Sequence, residues 1–135
     1  MTFLLMAVVM MTGAPELEVD PTGHVFTSRE GIEVALAAVR SPGPRRALVR
    51  LTRGGMSTAS KVWLAKVWES LEISEYTVKI GKKDHRLLIT RAGFPVVYLP
   101  EDGREVSIHW HDEKSRSLNT RQLLEEYQRQ EKTKK

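Results

Sequence analysis

Cysteine is absent from the 135-residue chain. That excludes a disulfide framework, a thiolate metal site and a cysteine nucleophile. It also fits a reducing compartment, and a cytoplasmic setting is expected. Apolar runs long enough to span a bilayer are absent too. The longest, Phe3 to Met11, covers nine residues, against about 20 for a transmembrane helix. This run has no basic segment before it, and Pro15 follows the small-residue site Thr12-Gly13-Ala14, which argues against a signal peptide. It reads as a strand buried on both faces, and no membrane partner is expected. Nucleotide fingerprints are missing: no lysine precedes Ser57 after Gly54-Gly55, so neither G-x-x-x-x-G-K-[ST] nor G-x-G-x-x-G is formed. A G-x-S-x-G elbow is lacking as well. An enzyme is therefore not expected, and neither catalytic residues nor a cofactor are assigned.

What is present is an ordinary globular composition, 41% hydrophobic and 28% charged, in a length suited to one domain. Residues 1–130 are read as that domain and 131–135 as a flexible basic tail. The net charge of +4 is unevenly spread. Residues 1–39 hold five acids and one base, residues 40–91 twelve bases and four acids, and residues 92–135 eight of each. A basic middle of this kind suggests an anionic partner, since a partner feels the local field rather than the total charge.

Periodicity predicts an α+β fold. The stretch Thr27-Ser28-Arg29-Glu30 matches a capping box, and Ile32, Ala35, Leu36 and Val39 follow at helical spacing, so a helix is expected there. Ser41-Pro42-Gly43-Pro44 ends it. Arg45 to Thr52 alternates as a strand, with Ala47, Val49 and Leu51 on one face and Arg46, Leu48, Arg50 and Thr52 on the other. A second helix is expected over about 58–72, capped by Ser57 or Thr58, with Leu64, Val67, Trp68 and Leu71 on one stripe and Trp63 at its edge. Strands follow at Tyr76 to Ile80, Arg86 to Arg91, Phe94 to Leu99 and Glu105 to His111, with a turn at Pro100-Glu101-Asp102-Gly103. Asn119 caps a last helix with Gln122 as its partner, fraying beyond about Gln128. The predicted architecture is a single domain with a mixed or antiparallel sheet of five to six strands, packed by two helices, plus a short C-terminal helix.

Two basic elements are candidate binding sites. Arg45, Arg46, Arg50 and Arg53 lie on and beside one strand with no acid among them, and arginine forks suit phosphate. Lys79, Lys82, Lys83 and Arg86 surround a hairpin tip of the kind that follows a nucleic-acid backbone. Trp63 is a candidate anchor for a second interface. His109 and His111 project from one face of a strand and are weak candidate metal ligands, with Asp112, His24 or His85 as a third. The functional expectation is a non-enzymatic nucleic-acid-binding accessory protein that uses the basic strand and hairpin. The alternative is a small regulator that docks by protein contacts on a nucleic-acid-processing complex, a polymerase or nuclease assembly. The partner is thus nucleic acid or a nucleic-acid-handling protein complex, and no oligomeric state is assigned.

Overall fold

The computed structural model describes residues 17–40, 43–53, 61–91 and 94–133. Nine strands lie among them: β1 (His24–Thr27), β2 (Ile32–Ala38), β3 (Arg46–Arg53), β4 (Lys61–Glu69), β5 (Ile73–Ile80), β6 (Lys83–Arg91), β7 (Val96–Tyr98), β8 (Glu105–Ser107) and β9 (His109–Trp110). Two helices follow, α1 (Asp112–Ser117) and α2 (Thr120–Thr133). Every strand pairing is antiparallel, in the order β8-β7-β6-β5-β4-β3-β2-β1-β9. The two edges of that list, β8 and β9, are halves of one segment joined through Ile108. Ile108 N–H donates to Pro95 O at 3.1 Å and His111 N–H to Val25 O at 2.8 Å. One segment thus pairs with β7 on one side and β1 on the other, so the sheet curls into a nearly closed barrel.

Alternation decides what fills it. Ile32, Val34 and Leu36 of β2, Ala47 and Val49 of β3, and Ala65 of β4 join Val78, Leu88, Val97, Val106 and Ile108 in one buried cluster. This is the barrel interior, and it is packed with side chains through most of its length. A bulge helps the curl: Tyr76 pairs with Leu88 and Thr77 with Arg86. Leu87 is left over between them and is fully buried, and an extra residue of this kind bends its strand. Outside the wall, Leu123 of α2 packs on Ala37, Leu48 and Val62, flanked by Leu64, Leu124 and Tyr127.

The expected sheet of five to six strands under two helices is overturned by this barrel. Both helices predicted before residue 75 are strands. The capping-box residues form a hairpin loop instead: Ser28 Oγ accepts from the amides of Glu30 and Ile32, each at 3.1 Å, and Gly31 supplies a φ of 85°. In β2 the interior residues Ile32, Val34 and Leu36 alternate with Ala35 and Ala37, which are themselves buried. In β4, Trp63, Ala65 and Val67 face the interior while Val62 and Leu64 lie on the α2 side. A strand apolar on both faces also satisfies helical spacing, and that produced the error. Elsewhere β3, β5, β6 and β7 fall where strands were expected, with shifted ends, while the single strand expected over Glu105 to His111 is divided at Ile108 into β8 and β9. Asn119 Oδ1 accepts from the Gln122 amide at 3.1 Å. The last helix, however, continues to Thr133, and α1 was not anticipated. The N-terminal apolar run and the Gly54–Thr58 turn lie outside the described residues.

Two side chains finish the wall where strands run out. The β4–β5 register ends at Lys66↔Thr77, and short of it the Gln130 amide takes a strand's place. Gln130 Oε1 accepts from Val62 N–H and its Nε2 donates to Val62 O, both at 2.8 Å. Beyond the end of β9, Ser115 Oγ accepts from Val25 N–H at 2.8 Å and donates to Val25 O at 3.3 Å. Each helix thereby supplies one residue that answers both main-chain groups of a strand residue, as buried peptide groups require. Gln130→Leu keeps the bulk but leaves two groups of Val62, which is 1% exposed, without partners. It should cost about 1–3 kcal/mol in urea unfolding followed by circular dichroism. An unchanged midpoint would show that the amide does not close the wall.

Candidate functional site: the open barrel mouth

The two ends of the barrel differ. At the end holding the β1–β2 and β7–β8 turns, Leu99 is fully buried. Around it Arg104 pairs with both carboxylate oxygens of Glu30 at 2.8 and 3.1 Å, and Arg53 reaches Glu101 at 2.8 Å. The Arg104 guanidinium holds the Glu30 carboxyl below the usual carboxylate range. His85 Nε2 lies 3.0 Å from Tyr98 O, tying β6 to β7 at that end.

The opposite end holds a recess of ≈ 400 Å³. Its walls are interior-facing residues of four successive strands: Leu36 of β2, Ala47 of β3, Val67 of β4 and Tyr76 of β5. Register brings them together, since Leu36 sits opposite Val49 beside the Ala38↔Ala47 pair, and Val67 sits opposite Tyr76. Around the rim stand Asp20, His24, Arg40, Arg45, Arg46 and Glu69. Short main-chain bonds fix this rim. Asp20 N–H donates to Ala38 O at 2.8 Å, Arg40 N–H to Glu18 O at 2.6 Å and Val67 N–H to Arg45 O at 3.0 Å. Arg45 Nη1 forms an ion pair with Glu69 Oε1, and Asp20 Oδ1 accepts from the Thr22 amide at 3.1 Å.

Tyr76 is the polar group on the recess wall. Burial pushes its phenol above the ordinary range, and Glu69 adds to that, while hydrogen bonds to Thr90 and Ser74 and the Arg45 charge oppose it. Burial and Glu131 likewise raise Tyr127 on α2.

The residues singled out from sequence are dispersed rather than gathered. Arg46 and Arg50 do face away from Val49 and Leu51, but that face lies under α2, where Arg50 binds Glu126 at 2.9 Å. Arg45 is committed to Glu69 and Arg53 to Glu101. In the hairpin, Lys79 reaches Asp84 at 3.3 Å and Arg86 reaches Glu75 at 2.9 Å. Lys82 and Lys83 are exposed at the tip and carry no ion pair among the described residues. Trp63 turns inward against the main cluster beneath the Lys61 ammonium, 5.3 Å from its ring centroid. Its indole N–H is buried with no acceptor among the described residues. The tryptophans presented to solvent are Trp68 and Trp110, 59% and 54% exposed. His111 Nδ1 caps α1 by accepting from the Lys114 amide at 3.1 Å, whereas His109 stays exposed. No group of three or more His, Asp or Glu placed to hold a metal occurs among the described residues.

Sequence reasoning missed the recess. Two of its wall residues, Leu36 and Val67, belong to strands read as helices, and its rim joins Asp20 to Glu69 across the fold. The available signal was Ala47, a small residue among larger apolar neighbours at an inward position.

Tyr76 yields a pH prediction. With the folded value raised, the unfolded chain releases its phenolic proton first, from about pH 10 upward. The stability Tyr76 contributes is complete below that pH and is lost as pH climbs toward the folded value. Tyr76→Phe should therefore flatten the alkaline fall in stability and remove one late-ionising component from the 295-nm absorbance titration. A curve unaltered by the substitution would refute the buried phenol.

No described helix is long and apolar enough to cross a membrane. Comparison with protein-family models, with curated proteins and with solved structures yields no match.

Proposed function

We propose that the protein is a non-enzymatic binder of a small molecule with a largely apolar body, held in the open mouth of the barrel, as a carrier or sensor in the cytoplasm. One observation supports this reading above others. Among the described residues, one end of the barrel holds a recess of ≈ 400 Å³ with apolar walls beneath a ring of polar groups, while the cluster beyond it is buried. Small-molecule sites have this composition, commonly occupy barrel mouths and measure about 300–1,000 Å³. The test is an amide-resolved NMR titration with three dodecyl compounds, the alcohol, the carboxylate and the ammonium, each below its micelle concentration. At least one should saturate, with shifts centred on Leu36, Ala47, Val67 and Tyr76, and Val67→Trp should abolish the effect by filling the space. Absence of saturable shifts at that end for all three would remove the reading.

A second reading, nucleic-acid binding by the β5–β6 hairpin, is supported by the exposed Lys82 and Lys83 alone. Of the other cations first assigned to nucleic acid on the basic strand and hairpin, Arg45, Arg50, Arg53, Lys79 and Arg86 have carboxylate partners, and Arg46 stands at the barrel mouth. Two phosphate contacts predict a shallow salt dependence, a slope near −2 in log K against log salt for duplex. Labelled duplex and single strands should bind weakly at low salt and lose binding in Lys82→Ala/Lys83→Ala. No binding at low salt, or binding indifferent to both substitutions, would end this reading.

A further inference from the structure

We infer that the mouth recess selects an anionic amphiphile, with the apolar tail against Leu36, Ala47 and Val67 and a carboxylate-type head at Arg40 and Arg45. The inference rests on the small-molecule reading and adds the sign and position of the ligand's charge.

The rim decides the sign. Its formal charges are three arginines against two carboxylates, and His24 adds either nothing or a further positive charge. The carboxylates are already engaged. Glu69 holds Arg45, and Asp20 accepts from the Thr22 amide in the turn that shapes the rim. A cationic head at Glu69 would have to displace Arg45, and at Asp20 it would share a carboxylate that already accepts from the Thr22 amide, in a rim whose formal charge is positive.

An anionic head displaces nothing. The Arg45 side chain is 75% exposed and meets Glu69 through Nη1, and a guanidinium has five N–H donors. Its remaining donors can take a second carboxylate in the forked geometry that arginine favours. Arg40 stands exposed on the same rim, with its backbone fixed to Glu18 and no ion pair among the described residues. Two guanidinium groups thus stand over an apolar recess with hydrogen-bonding capacity to spare. Arg46 adds to the positive charge of the rim but is not needed as a ligand.

The polar end of such a ligand stays at the rim, in contact with water, while the tail enters the recess. This division suits the site because a carboxylate taken to the apolar floor would lose its solvation without a compensating donor.

Dissociation constants for the three dodecyl compounds, measured by calorimetry on the full chain, test the inference. Dodecanoate should bind about tenfold more tightly than dodecanol, the ratio expected from one charge-assisted hydrogen bond of ~1.4 kcal/mol, and more tightly still than dodecylammonium. Arg40→Gln should remove much of that advantage while leaving dodecanol unchanged, and Arg40→Lys should keep part of it. Arg45→Gln should weaken dodecanoate and strengthen dodecylammonium, because Glu69 is then left unpaired. Equal binding of the alcohol and the carboxylate, with shifts at the recess, would overturn the anion preference and leave the pocket intact. Tighter binding of the ammonium would overturn it by reversing the sign. Failure of all three to bind would overturn the pocket itself, and the selection with it.

Discussion

The barrel depends on a single constraint, that every strand must find a partner for its main-chain N–H and C=O groups on both sides. Seven strands in meander order leave two edges. The segment from Glu105 to Trp110 pairs with both of them, and Ile108 marks the change from one neighbour to the other. Pairing runs out in two places, beyond β9 beside Val25 and short of the β4–β5 ladder beside Val62, and Ser115 and Gln130 occupy them. Each presents a donor and an acceptor to one residue, Val25 and Val62 respectively, as an adjacent strand would. The helices are therefore extensions of the wall as well as covers for its apolar outer face.

Only part of this was legible in the sequence. Strands with one polar face, β3 above all, follow the alternation of Arg46, Leu48 and Arg50 with Ala47, Val49 and Leu51. Turns follow their chemistry, as at Asp102, whose carboxylate accepts from the Arg104 amide at 2.9 Å. The failures fall on β2 and β4, the strands that lie between the interior and the helix-covered outer surface. There both faces are apolar, so Ile32 and Leu36 on the interior face and Val39 beyond the strand on the other side still recur at helical spacing. The discriminating feature was composition: β4 carries Val62, Trp63, Val67 and Trp68, and β-branched and aromatic residues favour strands. Barrel closure has no local signature, since it depends on Phe26 lying opposite Trp110.

The basic middle of the chain shows why charge along a sequence does not map onto charge on a surface. Arg50 finds Glu126 and Arg53 finds Glu101, both acids from the C-terminal third, which balanced its own charges when counted alone. The more exposed of the two, Arg53 with Glu101, contributes only about 0–1 kcal/mol to stability. The effect of both pairs on the external field is larger, because each cancels a cation that an anionic partner would otherwise meet. Among the described residues of the basic middle, Arg40 at the barrel mouth, Lys82 and Lys83 at the hairpin tip, and Lys61, Lys66 and Arg91 are left without an ion pair.

The asymmetry between the barrel's ends follows from how each is finished. At the Leu99 end a turn folds over the interior and is tied down by the pairs from Glu30 to Arg104 and from Arg53 to Glu101. Leu99 is buried there among the interior side chains. At the other end, the connection between β4 and β5 spans only Ser70 to Glu72, and the segment from Leu17 to Asp20 bonds along the end of β2 rather than across the opening. Ala47 is too small to fill the gap between Leu36 and Val67. The recess is thus a consequence of a small side chain and a short turn at one end. Its charge is a consequence of Arg45, which lies beside β4 with one nitrogen committed to Glu69 and the rest facing solvent. An apolar floor and a partly satisfied guanidinium arise from neighbouring residues, Ala47 and Arg45, on the same strand entry, so the shape of the site and its preference for anions are set together.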